Sequence, residues 1–310
     1  MNPWRRRGIL AAYLFILPNL LGFVLFTSLP VMASLMLSFY EWDLLHWPPR
    51  WVGMGNFSEL IADANFWKYF WNTLVLMAGI PVSILLSLFL AVLMNQKLRG
   101  MLVYRTVFFL PSITAGIGTY LLWMSIYNPE FGLLNWVLRH LWEALAWTVG
   151  WTGLRLPAFV GPGWLEDVFW AKPALILMGI WGSMGGTNMI LYLAALQNIP
   201  PELYEAAEID GAGAWSRFWR ITWPMVSPTT FFLTVMGIIG GFQGGFNQAH
   251  VMTGGGPAGS TTTISYYIYQ NAYVWFRMGY AASLAWMLFL VVFALTMVNW
   301  RFGQRRVHYA

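Results

Sequence analysis

Cysteine is absent from the 310 residues, so disulfides, thiolate metal sites and a cysteine nucleophile are excluded. Charge is scarce. Asp, Glu, Lys and Arg make up 9% of the chain, against roughly 25% in soluble globular domains. Histidine is sparse too. His46, His140, His250 and His308 are scattered, no pair has metal-ligand spacing, and each is read as a loop or interfacial histidine. No Gly-x-x-x-x-Gly-Lys-Ser/Thr run occurs, so the chain offers no phosphate-binding loop of that kind. The Gly-rich stretch 254–259 lacks the lysine and is read as a flexible outer loop. No Ser/His/Asp set or carboxylate pair falls within an apolar run.

Apolar residues, by contrast, reach 58%, above the roughly 45–50% of soluble domains. A soluble core in a chain of this length could not bury that much apolar surface. Charge-free apolar runs of membrane length, roughly 20 residues each, lie at about 9–39, 71–94, 106–127, 173–195, 225–247 and 278–300. The first is too long for one untilted span. Either Pro18 and Pro30 kink it, or its start lies along the membrane interface. It follows Arg5-Arg6-Arg7 as a signal peptide would, but the run far exceeds a 7–15-residue signal core and no Ala-x-Ala site follows. It is therefore read as a retained anchor.

Six spans put both termini on one side. That side carries 11 of the 17 basic residues: Arg5, Arg6, Arg7, Lys97, Arg99, Arg105, Arg217, Arg220, Arg301, Arg305 and Arg306. The other carries Arg50, Lys68, Arg139, Arg155, Lys172 and Arg277. Basic excess marks the cytoplasmic side. The net charge of +5 is thus a membrane signature and calls for no nucleic-acid partner. All 12 acidic residues fall outside the runs, eight on the outer side and four at Glu202, Glu205, Glu208 and Asp210. Ion-coupled carriers commonly mark their path with ionisable groups inside the membrane. The pattern argues against such coupling, and against a charged solute held by a buried counter-ion.

Residues 202–228 are the one long charged stretch inside the apolar C-terminal half. Pro200 and Pro201 suit a first helical turn. Glu202 and Glu205 favour the positive end of a helix dipole. Ala206 and Ala207 are strong helix formers without bulk. Gly211 can take the left-handed conformation that ends a helix. These residues predict a short helix over 201–210, a sharp turn, and a second helix from about Trp215. A small-residue surface beside carboxylates suits close docking against a basic partner. In the fifth run, Gln243 and Asn247 stand four residues apart and so share a helix face, with Phe242 and Phe246 on the neighbouring one. Amides beside aromatic rings suit a neutral sugar or polyol path, with Asn188 as a further candidate. The alternative is that the two amides bridge packed helices. Gly240, Gly241, Gly244 and Gly245 surround them, and Gly179, Gly182 and Gly186 form a small-residue stripe suited to helix packing.

Glu205-Ala206-Ala207, Asp210-Gly211-Ala212, Phe218, Ile221, Pro224 and Pro228 together resemble the EAA loop of bacterial ABC importer permeases, with Trp223 where that family usually has Leu. Further stretches are similar to the maltose-type, carbohydrate-importing subfamily. They are Ser38-Phe39-Tyr40-Glu41-Trp42-Asp43, Trp51-Val52-Gly53-Met54-Gly55-Asn56-Phe57, the lead-in from Leu193 to Pro200, and Thr253-Gly254-Gly255-Gly256-Pro257-Ala258-Gly259-Ser260-Thr261 followed by Tyr266-Tyr267-Ile268-Tyr269. Residues about 140–165 depart from the family in length. Trp142, Trp147, Trp151 and Trp164 there suit an interfacial belt.

The resemblance implies an all-α membrane protein, a single permease domain over 1–310 with six transmembrane helices in the type I importer fold. It implies a cytoplasmic coupling loop at about 196–224, in which Glu202, Tyr204, Glu205, Ala206, Ala207, Asp210, Gly211 and Ala212 dock on a separate ATPase. It implies no catalytic residues, no metal and no cofactor on this chain, with ATP and Mg on the partner subunits. The implied assembly holds a second permease as a heterodimer, two ATPase subunits and an extracytoplasmic solute-binding protein, in a bacterial or archaeal cytoplasmic membrane. An ATP-independent carrier or channel for a small polar solute is the alternative. The span count makes a prediction. Reporter fusions after Arg99, Trp215 and Gly303 will report cytoplasm, and fusions near Asp63, Gly161 and Gly259 the outer side. One inverted pair overturns the count.

Overall fold

The computed structural model describes residues 3–96, 99–114, 116–152 and 156–303. Lys97, Arg155, Arg305, Arg306 and His308 lie outside the described residues, as do the side chains of Arg5, Arg6 and Arg7. The chain is almost wholly helical, as an apolar chain must be where no water can satisfy its backbone.

Helices α1 (Pro3–Phe23) and α2 (Leu29–Leu37) run on through a π-helical turn, Val24–Ser28. Pro30 lacks the N–H that would reach Phe26, and the wide turn sits where that bond is missing. Strands β1 (Tyr40–Glu41) and β2 (Arg50–Trp51) pair antiparallel, with Glu41 opposite Arg50, and α3 (Gly55–Ala62) follows. Then come α4 (Ala64–Met77), α5 (Gly79–Met94), α6 (Met101–Ile113), α7 (Ile117–Ile126), α8 (Leu133–Gly150), α9 (Val168–Met184) and α10 (Thr187–Gln197). The C-terminal part holds α11 (Pro201–Ile209), α12 (Ala214–Arg217), α13 (Trp223–Met225), α14 (Ser227–Gln243), α15 (Ile264–Tyr269) and α16 (Met278–Gly303).

Among the described residues, three helices are long and apolar enough to cross a membrane: Ala12–Leu37, Ala64–Met94 and Met278–Arg301. The count reaches six if each of three bent pairs is one span. The second span starts at Ala64 rather than near 71. The third, fourth and fifth expected runs are each broken. The bends are 103° between α6 and α7, 40° between α9 and α10, and 60° between α13 and α14. Gly185 and Gly186 mark the second break, and Pro224 and Pro228 flank the third. These residues free or forgo helical hydrogen bonds at low cost.

The chain forms two compact units. The first is Met1–Ala64 with Ile268–Phe289. Asn56 ties it together by donating to the carbonyls of Ser38 and Tyr40, both at 2.9 Å. Arg277 pairs with Glu59 at 2.6 Å, Arg50 with Glu41 at 2.5 Å, and the Tyr280 hydroxyl donates to Asp63 at 2.8 Å. His46 lies 2.6 Å from Asp43 and, by that bond, holds the carboxyl below the usual carboxylate range.

The second unit is Asn65–Tyr267 with Leu290–Ala310. Its larger apolar cluster joins α5, α10 and α14 through Ile84, Leu88, Ala91, Tyr192, Leu196 and Leu233. A smaller one gathers Trp123, Tyr127, Trp164, Leu175, Met178 and Met252, and the Tyr127 hydroxyl donates to the Ala174 carbonyl at 2.7 Å. Residues 140–165 are partly helical, because α8 runs to Gly150. The expected belt of tryptophans divides. Trp164 is buried and donates to Asn135 at 2.8 Å, and Trp142 donates to the Pro157 carbonyl at 3.0 Å. Only Trp147 and Trp151 are openly exposed.

The expected glycine stripe also divides. A Cβ on Gly182 or Gly179 would meet nothing within 4 Å. One on Gly186 would lie 2.7 Å from the Ser112 Cβ, and one on Gly185 would strike the Phe108 carbonyl oxygen. The close approach is therefore between α6 and the α9–α10 break. Gly185→Ala should lower stability by ~1–3 kcal/mol, because a backbone atom cannot step aside. Gly182→Ala in the same helix should be neutral or stabilising by up to ~1 kcal/mol. Thermal unfolding of the two purified variants in detergent checks this, and equal melting temperatures would reject it.

Candidate functional site

The segment 201–225 folds as its residues dictate. Pro200 stands extended before α11, and Glu202 lies in the first turn. Gly211 ends the helix at φ +77°. The Ala212 N–H reaches back to the Ala207 carbonyl at 2.8 Å, and the Gly211 N–H to that of Glu208 at 3.0 Å. This paired bonding is the left-handed helix stop that a glycine makes possible. From Ala214 the chain turns helical again through α12, a π-helical turn Phe218–Thr222 and α13. Glu208 bridges the two arms by pairing with Arg217 at 3.1 Å.

The faces of α11 differ sharply. Glu202, Glu205, Ala206 and Asp210 are exposed. So are Ile209, 88% open, and Trp215, 75% open, on the following helix. Tyr204 turns inward instead. Its hydroxyl lies 2.9 Å from that of Thr222, and its ring packs on the larger cluster beside Phe218 and Ile221. The segment thus presents an acidic and aromatic outer surface and is rooted in the core by Tyr204 on the first arm and by Phe218, Ile221, Trp223 and Met225 on the second.

That core touches a cavity of about 360 Å³ lined by α4, α5, α9, α10 and α14. Ile84 and Leu233 belong both to the cluster and to the cavity wall. The polar lining is Thr73, Ser83, Ser183, Asn188, Gln248 and Thr263, and among the described residues no charged side chain lines it. Gly237 and Gly241 admit Ile80 of α5, whose Cδ1 would stand 2.7 Å from a Cβ on Gly241. Hydroxyls and amides in an otherwise apolar wall can exchange hydrogen bonds with a neutral polar molecule.

Of the residues picked from sequence as a solute path, the structure brings only Asn188 to this cavity. Gln243 and Asn247 do not share a helix face, because α14 stops at Gln243. Gly244 is extended, at ψ −173°, and Gly245 sits at φ +80°. Gln243 and Asn247 are both exposed. Phe242 is fully buried and stacks on Phe70 at 6.1 Å. Phe246 stacks on His250 at 5.4 Å, away from the cavity lining. The amide that sequence reasoning missed is Gln248, one residue past Asn247. Counting a Gly-Gly pair as a helix break, rather than carrying the four-residue spacing across it, would have pointed there.

The stretch 254–259 is not a free loop. Over 253–263 the chain folds into a compact cap at the end of α14 remote from α11, and Ser260, Thr261, Thr262 and Thr263 are all buried. Thr253 and Thr261 share a hydroxyl bond of 2.6 Å, Thr261 donates to Gly256 at 2.7 Å, and Thr262 donates to Gly255 at 3.0 Å. Thr263 reaches the cavity wall.

Broken apolar spans around an uncharged polar cavity, with a helical hairpin on one side, define a membrane transport subunit. A family model described as "Binding-protein-dependent transport system inner membrane component" matches residues 7–306, and the chain belongs to that family. It is 36% identical over 309 residues to a probable ABC transporter permease protein, YesP, of Bacillus subtilis, covering 98% of this chain and 94% of that protein. It is 33% identical over 300 residues to the sn-glycerol-3-phosphate transport system permease protein UgpA of Yersinia pestis, covering 96% and 95%. Among solved structures it resembles a bacterial ABC transporter involved in the import of the acidic polysaccharide alginate. The TM-score is 0.79 at 25% identity, over 97% of this chain and 98% of the other. The chain is an all-α permease subunit of a binding-protein-dependent ABC importer, with the type I permease fold of the maltose-type family. It is a transport component of the inner membrane, not an enzyme.

Proposed function

We propose that this subunit carries a neutral sugar or polyol, handed over by an extracytoplasmic binding protein. It works beside a second, different permease and on two ATPase subunits that hold ATP and Mg. Both termini and α11 face a bacterial or archaeal cytoplasm, in keeping with the excess of basic residues on that side. The observation that carries the solute class is the cavity, which is lined by hydroxyls and amides without a single charge. An anion placed there would lose its hydration with no cation to replace it, at a cost of several kcal/mol.

The coupling follows from the same geometry. An ATPase grips the surface formed by the exposed Glu202, Glu205, Ala206, Asp210 and Gly211 and the half-buried Ala207 and Ala212, with Ile209 and Trp215 as apolar anchors. Tyr204 transmits the movement to the cluster, and Ile84 and Leu233 transmit it to the cavity wall. Glu205→Ala should uncouple ATP hydrolysis from uptake, as loss of one partner from an interfacial charge pair costs 2–5 kcal/mol. Gly211→Val should do the same, because a β-branched residue strains the left-handed turn. Both are measured as ATPase and transport rates of the reconstituted complex. Normal coupled transport by both would sink the docking role, and uptake without ATP would return the ATP-independent carrier.

The solute assignment has its own test. Gln248→Leu and Asn188→Leu should each slow uptake per assembled complex by up to about tenfold, the worth of one neutral hydrogen bond of ~0.5–1.5 kcal/mol. Gln243→Leu should leave it within twofold. A panel of neutral and acidic sugars decides the class. Uptake confined to the acidic members would overturn it, whatever the variants do.

A further inference from the structure

Along one side the cap over 253–263 is fastened to α4. Lys68 Nζ donates to the Ala258 carbonyl at 2.7 Å. Asn72, 3% exposed, donates to the carbonyls of Gly259 and Thr262 at 2.9 and 3.1 Å. Thr73 accepts from the Ile264 N–H at 3.1 Å. Three residues of one helix therefore grip the backbone of 258–264 through four hydrogen bonds. Ala258 and Gly259 make this possible by standing at φ +49° and +69°, which turns their carbonyls toward α4.

We propose that residues 253–263 are the outer closure of the solute cavity, and that Lys68, Asn72 and Thr73 are the positioning residues that hold it shut. The inference rests on the cavity being the solute path. Five observations carry it. The cap is internally cross-linked by its threonine hydroxyls, so it moves as one body instead of unravelling. Its fastenings to α4 are side chain to backbone, so a shift of that one helix releases them together. It is preceded by the Gly244–Gly245 break, where φ of +80° supplies a hinge. A Cβ at Gly245 would lie 2.8 Å from Thr263 Cγ2, so the hinge and the cap meet where only glycine fits. In the closed form the Ser260 hydroxyl is buried with no hydrogen-bond partner, a penalty that lifting the cap into water relieves. The closed state is thus built to be left.

The absence of native cysteine gives a clean reporter. Ser260→Cys places the only thiol of this chain on the cap, at a position whose hydroxyl makes no bond to lose. The complete complex with its ATPases is reconstituted in liposomes, and a membrane-impermeant maleimide is added with and without ATP and binding protein. The label is read on this chain after the subunits are separated. Labelling should be slow at rest and at least tenfold faster with ATP and binding protein. Asn72→Leu in the same background should raise the resting rate about tenfold. Lys68→Met should raise it less, and Lys68→Arg should return it to the parent value. If Asn72→Leu fails to assemble, the exposed Lys68 pair decides alone.

Equal labelling at rest and with ATP, or a resting rate that neither Asn72→Leu nor Lys68→Met moves, overturns the proposal. The underlying reading fails separately. State-dependent labelling combined with normal uptake by Gln248→Leu keeps the cap as a closure and discards this cavity as the path. Unmoved labelling with slowed uptake does the reverse.

Discussion

The larger apolar cluster of the second unit is the contact on which the rest of the molecule depends. Ile84 and Leu88 of α5 meet Tyr192 and Leu196 of α10 and Leu233 of α14 there. Tyr204 reaches the same cluster from α11, and Ile84 and Leu233 face the cavity from its far side. A close-packed core transmits displacement because it cannot be compressed. The acidic surface of α11 and the polar cavity are therefore two sides of one body. Tyr204 is what ties the first arm of the hairpin to that cluster; without it α11 would be held to the rest by its backbone and by the Glu208–Arg217 pair, whose carboxylate is exposed and which is worth little.

The breaks in the spans serve the cavity. A straight apolar helix satisfies all its own backbone groups and leaves none for a solute. Each bent pair turns at or beside glycine or proline. The Gly185–Gly186 break seats α6 against backbone, and the Gly244–Gly245 break swings Gln248 into the cavity and leaves Gln243 outside. Non-helical backbone is tolerated at membrane depth only where it is enclosed by protein or lines a cavity. The cap over 253–263 satisfies that rule with its own threonines and with the side chains of α4.

How much was legible depended on the range of the signal. The helix 201–209 and its stop at Gly211 follow from proline, alanine and glycine within ten residues, and the structure has them there. The lining of the cavity was not legible in the same way. A four-residue spacing was carried from Gln243 to Asn247 across a glycine pair that ends the helix. The cap was taken for a flexible loop because its composition is Gly-rich, whereas Asn72 and Lys68, nearly 190 residues away, hold it. Trp142 and Trp164 were placed at a membrane interface by residue type, while their N–H groups are spent on Pro157 and Asn135.

By itself, then, the sequence determined what composition and short-range geometry decide: a membrane chain with scarce charge, apolar runs of spanning length, a basic bias between its two sides and a helical hairpin stopped by glycine. These are properties of neighbouring residues and of their transfer into lipid, so no fold is needed to read them. Only the tertiary structure decided what the broken spans pack against, which side chains line the cavity, and that a glycine-rich stretch is a fastened cap. Each of these turns on contacts between residues far apart in the chain, where the local pattern is silent and packing and hydrogen-bond satisfaction make the choice.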